Sequence, residues 1–139
     1  MLVLSDPREP QLSMLAALSD HANVVIGNSA EAFADVALDA AIILNWSGSL
    51  ALLRAVFRMS PRLRWMHSRA AGLEQTLFPE LVTSNVILTN GSGVFSPSLG
   101  EFVLGAILYF AKGSRRMIRN QMAGLWDPFD VVSISGETV

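Results

Sequence analysis

Residues Thr89–Gln121, TNGSGVFSPSLGEFVLGAILYFAKGSRRMIRNQ, read as a short strand end, a Gly/Ser-rich loop and one long helix. Ser96 suits a helix cap, Pro97 suits a first helical position, and Ser98-x-x-Glu101 has capping-box spacing. Leu99, Phe102, Val103, Ala106, Ile107 and Phe110 then recur at helical spacing and make one wide apolar face. Leu104, Leu108 and Ala111 make a second face, so the helix is apolar nearly all round and needs cover on two sides. The helix is expected to run to about Gly124, where Trp126-Asp127-Pro128 breaks the chain.

Upstream, short apolar runs alternate with helical patterns. Met1–Ser5, Asn23–Ile26, Ala40–Leu44, Arg64–His67 and Asn85–Leu88 read as five strands. Between them lie helical segments at Gln11–Ser19, at Ser29–Ala37 with Ser29 as its cap, at Ser49–Met59 ended by Pro61, and at Gln75–Val82 interrupted at Pro79. Nearly continuous apolar strands alternating with helices predict an α/β fold, a doubly wound five-stranded parallel sheet covered on both faces. In such sheets ligands sit beyond the carboxyl ends of the strands. Those ends are Ser5–Pro7, Gly27–Asn28, Asn45–Gly48, Ser68–Gly72 and Thr89–Gly93, mostly small or polar, which lets backbone N–H groups approach a ligand. Val131–Val139 reads as the approach to another strand.

The chain has 139 residues, enough for one domain with a real core. It is 51% hydrophobic and 16% charged, yet its longest apolar run, near Phe102–Ala111, is shorter than a membrane span and contains Gly105. A net charge of −2 argues against a nucleic-acid partner. Zero cysteines exclude disulfides and thiolate metal sites, and with no basic leader the chain suits a reducing, cytoplasmic setting. Two histidines without cysteine give no metal-ligand spacing. His67 closes an apolar strand with no carboxylate near it in sequence, and is read as structural. Lys112, Arg115, Arg116 and Arg119 are read as a solvated basic face near a helix C-terminus.

Several stretches, LRWMHSRAAGLEQTLFPEL from Leu63, VILTNGSGVFSPSLGEFVLGAIL from Val86, RNQMAGLW from Arg119 and SGETV from Ser135, resemble the D-isomer-specific 2-hydroxyacid dehydrogenases. The resemblance covers Leu63 to Val139 by motif and the first sixty residues by strand–helix rhythm. It implies a flavodoxin-like substrate-binding domain at 1–95, a long interdomain and dimerisation helix at 96–124, and a linker at 125–139 leading to a Rossmann cofactor domain. The long C-terminal helix would cross to that domain, which is missing from this sequence. In the family the Ser68–Gly72 loop offers backbone N–H groups to a substrate carboxylate, so the resemblance implies Ala70, Ala71 and Gly72 as substrate-binding. It implies Trp46 and Ser47 beside them, Phe95 toward the substrate, and Ser98 at the cofactor edge. The usual Gly-Ala-Gly-Val-Asp is here Ala70-Ala71-Gly72-Leu73-Glu74, and Gly100-Glu101 replaces the usual Ala-Glu, with no main-chain donor lost.

The resemblance implies a small 2-hydroxy or 2-oxo acid as substrate, NAD or NADP as cofactor of the full-length enzyme, and a homodimer through the long helix. No Gly-x-Gly-x-x-Gly occurs in this sequence, and Gly91-x-Gly93 lacks the third glycine, so tight dinucleotide binding is not expected of this chain. The family's catalytic arginine, glutamate and histidine lie beyond residue 139; neither His21 nor His67 takes that role. The expected function is therefore the substrate-binding portion of an NAD(P)-dependent oxidoreductase, inactive alone. The alternative is a stand-alone flavodoxin-like binding or interaction module.

Overall fold

A computed structural model describes residues 1–138; Val139, the end of the expected linker, lies outside the described residues. The chain forms two compact units, Met1–Ser92 and Gly93–Val139.

The first unit holds five parallel strands: β1 (Leu2–Leu4), β2 (Val25–Gly27), β3 (Ile42–Asn45), β4 (Trp65–Ser68) and β5 (Ile87–Asn90). Their order is β2-β1-β3-β4-β5, the flavodoxin-like doubly wound arrangement. Register aligns Gly27, Leu4, Asn45, Ser68 and Asn90 across the sheet. All five carboxyl-end loops therefore leave from one edge.

One face of the sheet carries the core. Leu2, Leu4, Ile43 and Met66 pack with Leu53 and Val56 of α1 (Leu50–Met59), Leu81 of α2 (Pro79–Val82), and Phe33, Ala37 and Phe78. α1 is amphipathic, and the Ser49 hydroxyl accepts from the Leu52 N–H at 3.3 Å, capping its first turn. Phe57 meets Phe78 edge to face at 5.1 Å.

Cover on the second face is partial. Val3 is buried on the opposite face, but Trp65 and Ile87 there are 41% and 65% exposed. Trp65 Nε1 donates to Thr89 Oγ1 at 2.9 Å, and the Thr89 hydroxyl lies 2.8 Å from His67 Nδ1. These bonds satisfy polar groups where this face is exposed, at its β4–β5 edge.

Three expected helices also differ. Pro10–Leu18 is a 3-10 helix in which Ser13 Oγ takes the Pro10 carbonyl at 2.8 Å, competing with the α pattern. The expected Ser29–Ala37 helix is two 3-10 turns, Glu31–Phe33 and Ala37–Asp39, with no side-chain cap. A segment that short nucleates poorly, and burial of Phe33 and Ala37 decides its path instead. α2 begins at Pro79 rather than being interrupted there, since proline lacks only an N–H that a first turn leaves unpaired.

In the second unit the expected single helix is two: α3 (Ser96–Ala111) and α4 (Ser114–Met122). Gly113 between them has φ +61°, a conformation glycine adopts without side-chain clash. A Cβ at Gly113 would stand 2.6 Å from the Phe129 ring. Arg116 stacks on that ring at 4.3 Å and pairs with Asp127 at 2.7 Å, while Lys112 Nζ donates to the Val132 carbonyl at 2.7 Å. The basic cluster is thus not wholly a solvated face; two of its members hold the following segment. The Ser96 cap and the Ser98–Glu101 capping box do not form: Phe95 is the N-cap residue, without a side-chain bond, and Pro97 falls within the first two helical positions. Residues 131–138 form no strand. Gly136, at φ +84°, lies in a turn closed by Glu137 N–H donating to Ile134 at 3.2 Å. No helix among the described residues is long and apolar enough to cross a membrane.

One ion cluster ties α1 to α2. Arg54 and Arg58 both donate to Glu80 Oε1, at 2.8 and 2.6 Å. The Arg54 bond first, then that from Arg58, holds the Glu80 carboxyl down at about 2, against an ordinary 4.5. The folded value lies below the unfolded one. The cluster therefore contributes stability above the ordinary value and loses it as pH falls toward 2. Urea midpoints of the wild type are expected to decline over that acid range. In Glu80→Gln the decline is expected to be shallower from a lower neutral-pH starting point.

Candidate functional site

The carboxyl edge of the sheet brings two of the expected loops together. The β3 loop is shaped by a chain of small polar groups. Ser47 Oγ donates to Asn45 Oδ1 at 3.3 Å and accepts from the Ser49 N–H at 3.1 Å, and Gly48 turns the chain at φ +68°. The Trp46 N–H donates to Leu4 at 3.0 Å, extending the ladder one residue past the strand. Next to it the Arg69 N–H donates to the Asn45 carbonyl at 3.1 Å. The Arg69 guanidinium then lies 4.7 Å from the Trp46 ring centre, a cation–π stack.

The β4 loop, Arg69–Gln75, is pinned from beneath and from the side. Ser68 Oγ and Thr76 Oγ1, both buried, are 3.0 Å apart and close its base. Its carbonyls are turned toward β5. The Gly91 N–H donates to the Ala70 carbonyl at 3.1 Å, and Asn90 Nδ2 donates to the Ala71 carbonyl at 2.6 Å. Gly91 is required at this approach, because a Cβ there would stand 2.5 Å from the Arg69 carbonyl oxygen.

With the Ala70 and Ala71 carbonyls held, the N–H groups of Ala70, Ala71 and Gly72 donate to no protein acceptor among the described residues. All three residues are exposed. A run of unpaired main-chain donors without side-chain bulk is a site for an anion, and it needs no buried cation. The Glu74 carboxylate rests against Gly72 and is the acidic group beside the run.

Between the two loops is a cavity of about 70 Å³ lined by Asn45, Trp46, Ser68, Arg69, Ala70 and Thr76, with Gly48 and Gln75 at its edge. A larger one of about 380 Å³ shares Trp46 and Arg69 with it and is also lined by Ser47, Asp6 and Glu9. Trp46 Nε1 is buried and has no hydrogen-bond partner.

Five of the expected residues, Ala70, Ala71, Gly72, Trp46 and Ser47, thus share one edge of the first unit. Phe95 and Ser98 belong to the second unit, where both are exposed, Phe95 just before α3 and Ser98 in its first turn. His67 lies half-buried within β4 on the face opposite the core, and His21 is exposed after the first 3-10 helix. No group of three potential metal ligands occurs among the described residues. Asn90, Gly91 and Arg69 lie in the strand-end stretches Thr89–Gly93 and Ser68–Gly72 expected from the sequence, but the clasp and the stack they make were not expected. The Asn-Gly step at the end of β5 was the available signal for the first two, since a short amide donor and a residue without Cβ allow close backbone approach.

No protein-family model matches the sequence, and no curated protein matches it. Solved structures do. A D-isomer-specific 2-hydroxyacid dehydrogenase family protein from Aeromonas salmonicida aligns with 97% of this chain at 21% identity and a TM-score of 0.67. A D-isomer-specific 2-hydroxyacid dehydrogenase from Xanthobacter autotrophicus, solved with NADPH and MES, aligns with 94% at 20% identity and a TM-score of 0.65. D-Lactate dehydrogenase from Aquifex aeolicus, solved with NAD and lactic acid, aligns with 93% at 18% identity and a TM-score of 0.62. This chain spans 43%, 42% and 39% of those three proteins respectively.

Gly91→Ala is expected to push the Arg69–Gly72 loop off β5 and to destabilise the first unit by roughly 1–3 kcal/mol, the usual cost of overpacking. Denaturant unfolding and the amide resonances of residues 69–72 report it; an unmoved loop would contradict the close approach. What the chain shares with D-isomer-specific 2-hydroxyacid dehydrogenases of known structure, over nearly all of its own length, is their fold.

Proposed function

We propose that this chain is the substrate-holding portion of an NAD(P)-dependent D-2-hydroxyacid dehydrogenase, an enzyme class that interconverts 2-oxo and D-2-hydroxy acids by hydride transfer. The observation that carries the reading is the Ala70–Gly72 loop, whose first two carbonyls are tied back while its three amides have no partner among the described residues. A 2-hydroxy or 2-oxo acid held there by its carboxylate is fixed at one end, with its side chain toward the Trp46–Ser47 loop. Main-chain donors suit this task because they bind charge without a side chain that must be desolvated. The fold likeness to a D-lactate dehydrogenase that was solved with lactic acid supports the same ligand class.

The residues present do not fit a dinucleotide. No Gly-x-Gly-x-x-Gly occurs, and the Gly91–Ser98 loop supplies neither the third glycine nor a ribose-binding acid. No hydride step is therefore assigned to this chain; Ser98 is at most an edge contact, and Phe95 a contact to the substrate. The cofactor lobe and the acid–base groups would come from outside residues 1–139.

Titrating the chain, labelled with nitrogen-15, with D-lactate is expected to shift the amide resonances of Ala70, Ala71 and Gly72 before any others. Purified chain mixed with NADH and pyruvate is expected to oxidise no NADH. Unmoved loop amides at tens of millimolar D-lactate would overturn the substrate reading, and turnover would overturn the missing-lobe reading.

The same reading includes a homodimer through α3. Phe102 and Phe110 are 75% and 80% exposed, and Leu99, Val103 and Leu104 are exposed beside them. Covering about 400 Å² of such surface is worth about 10 kcal/mol at ~25 cal/mol/Å², before the cost of association. Sedimentation at micromolar concentration is expected to give a dimer, and Phe102→Asp with Phe110→Asp a monomer. A clean wild-type monomer would contradict it.

A further inference from the structure

The Asn90-Gly91 step that clasps the β4 loop is also the place where the chain is most open to self-modification. Asn90 is the only asparagine followed by glycine; the others precede Val, Ser, Trp or Gln. An asparagine side-chain amide can be attacked by the backbone nitrogen of the next residue. A following glycine hinders that attack least, because it has no Cβ.

Both reacting groups are under structural control. The Gly91 N–H donates to the Ala70 carbonyl at 3.1 Å, and Asn90 Nδ2, the nitrogen that would leave, donates to the Ala71 carbonyl at 2.6 Å. While these bonds stand, the Gly91 nitrogen keeps its proton and the side-chain amide is held in place. The Ser92 N–H acts the other way. It donates to Asn90 Oδ1 at 3.4 Å, which turns the side-chain carbonyl back along the chain and draws electrons from the carbon that would be attacked. Lifting the loop frees both reacting groups at once and leaves the Ser92 bond, which is local to the turn, in place.

We propose that Asn90 is a modification site at which the chain deamidates itself, at a rate set by opening of the Arg69–Gly72 loop, and that the product holds the loop open. The step balances with water as its only co-reactant. The Gly91 nitrogen bonds to Asn90 Cγ, the Cγ–Nδ2 bond breaks, and ammonia leaves with the Gly91 proton, giving a cyclic succinimide. Water then opens that ring at either carbonyl and yields aspartate or isoaspartate. Aspartate at this position is ionised at neutral pH and offers only acceptors. One of its oxygens would face the Ala71 carbonyl where Nδ2 now donates, and two acceptors there repel. Isoaspartate instead adds a carbon to the backbone next to Gly91, where β5 comes closest to the Arg69 carbonyl. Either product undoes the clasp, and the change is one-way. The inference concerns the free chain and stands apart from the substrate reading.

The test ages the whole 139-residue chain in warm, mildly alkaline buffer, with and without denaturing urea. Peptide mass mapping that separates aspartate from isoaspartate reads the products. In urea Asn90 is expected to convert first among the asparagines. In the folded chain it is expected to convert about tenfold more slowly, because the reaction waits on a local opening. Isoaspartate is expected to outweigh aspartate, the mark of the cyclic route. Thr76→Val, which removes the Ser68–Thr76 bond at the loop's base and keeps the Asn-Gly step, is expected to bring the folded rate toward that in urea. In Asn90→Asp the amide resonances of Ala70, Ala71 and Gly72 are expected to shift, and the Gly91 amide to exchange faster with solvent. The same resonances in aged wild-type chain carry this arm if that variant does not fold. Conversion of Asn90 as fast in the folded chain as in urea, no conversion in the folded chain, or loop resonances unmoved by the product would each overturn the proposal.

Discussion

The first unit depends on how closely β5 approaches the loop that follows β4. At Gly91 the two backbones come so near that a single added carbon would strike the Arg69 carbonyl. That approach lets the Gly91 amide and the Asn90 side chain take the Ala70 and Ala71 carbonyls. Two acceptors of the loop are thereby paired with β5, while the neighbouring donors find no partner among the described residues. An ordinary turn pairs its own donors and acceptors or leaves both to water. Here the Ala70 and Ala71 carbonyls are taken while the three N–H groups have no partner among the described residues, a pattern that suits an anion. The aligned strand ends put the Trp46 loop alongside, so the chemistry follows from parallel register and one missing side chain.

The second unit follows a different logic. α3 is apolar over most of its surface and has no buried residue, whereas α4 is strongly amphipathic and basic. A left-handed glycine separates them, and the Phe129 ring occupies the space beside it. Arg116 does two jobs there, stacking on Phe129 and pairing with Asp127. Trp126, 93% exposed, and Leu125 nearby continue the apolar surface beyond α4. A segment this apolar has little within its own unit to pack against, which is the physical basis of the dimer proposed above.

The order of strands and helices was legible because buried parallel strands write themselves as unbroken apolar runs, and MLVL at Met1–Leu4 and AAIIL at Ala40–Leu44 are of that kind. The capped, amphipathic α1 was equally plain. What escaped was set by partners distant in sequence. The break at Gly113 comes with Phe129, sixteen residues on, and a glycine inside a helical pattern does not announce its φ. The capping box at Ser98–Glu101 had the right spacing, but the helix starts before it. Of the site, the small residues Ala70–Gly72 could be singled out by type and by likeness to a family. The clasp from Asn90 and the Arg69–Trp46 stack could not, because both join residues about twenty apart whose meeting depends on strand register.

The central claim is that the Ala70–Gly72 amides are unpaired in the free chain and are the groups that hold the carboxylate. Residue-resolved amide hydrogen exchange measures this directly. The account predicts fast exchange at Ala70, Ala71 and Gly72 in the free chain beside slow exchange in β4 and β5, with the three loop amides slowed when D-lactate is present. Loop amides already as protected as the strands, or unchanged by the ligand, would contradict it.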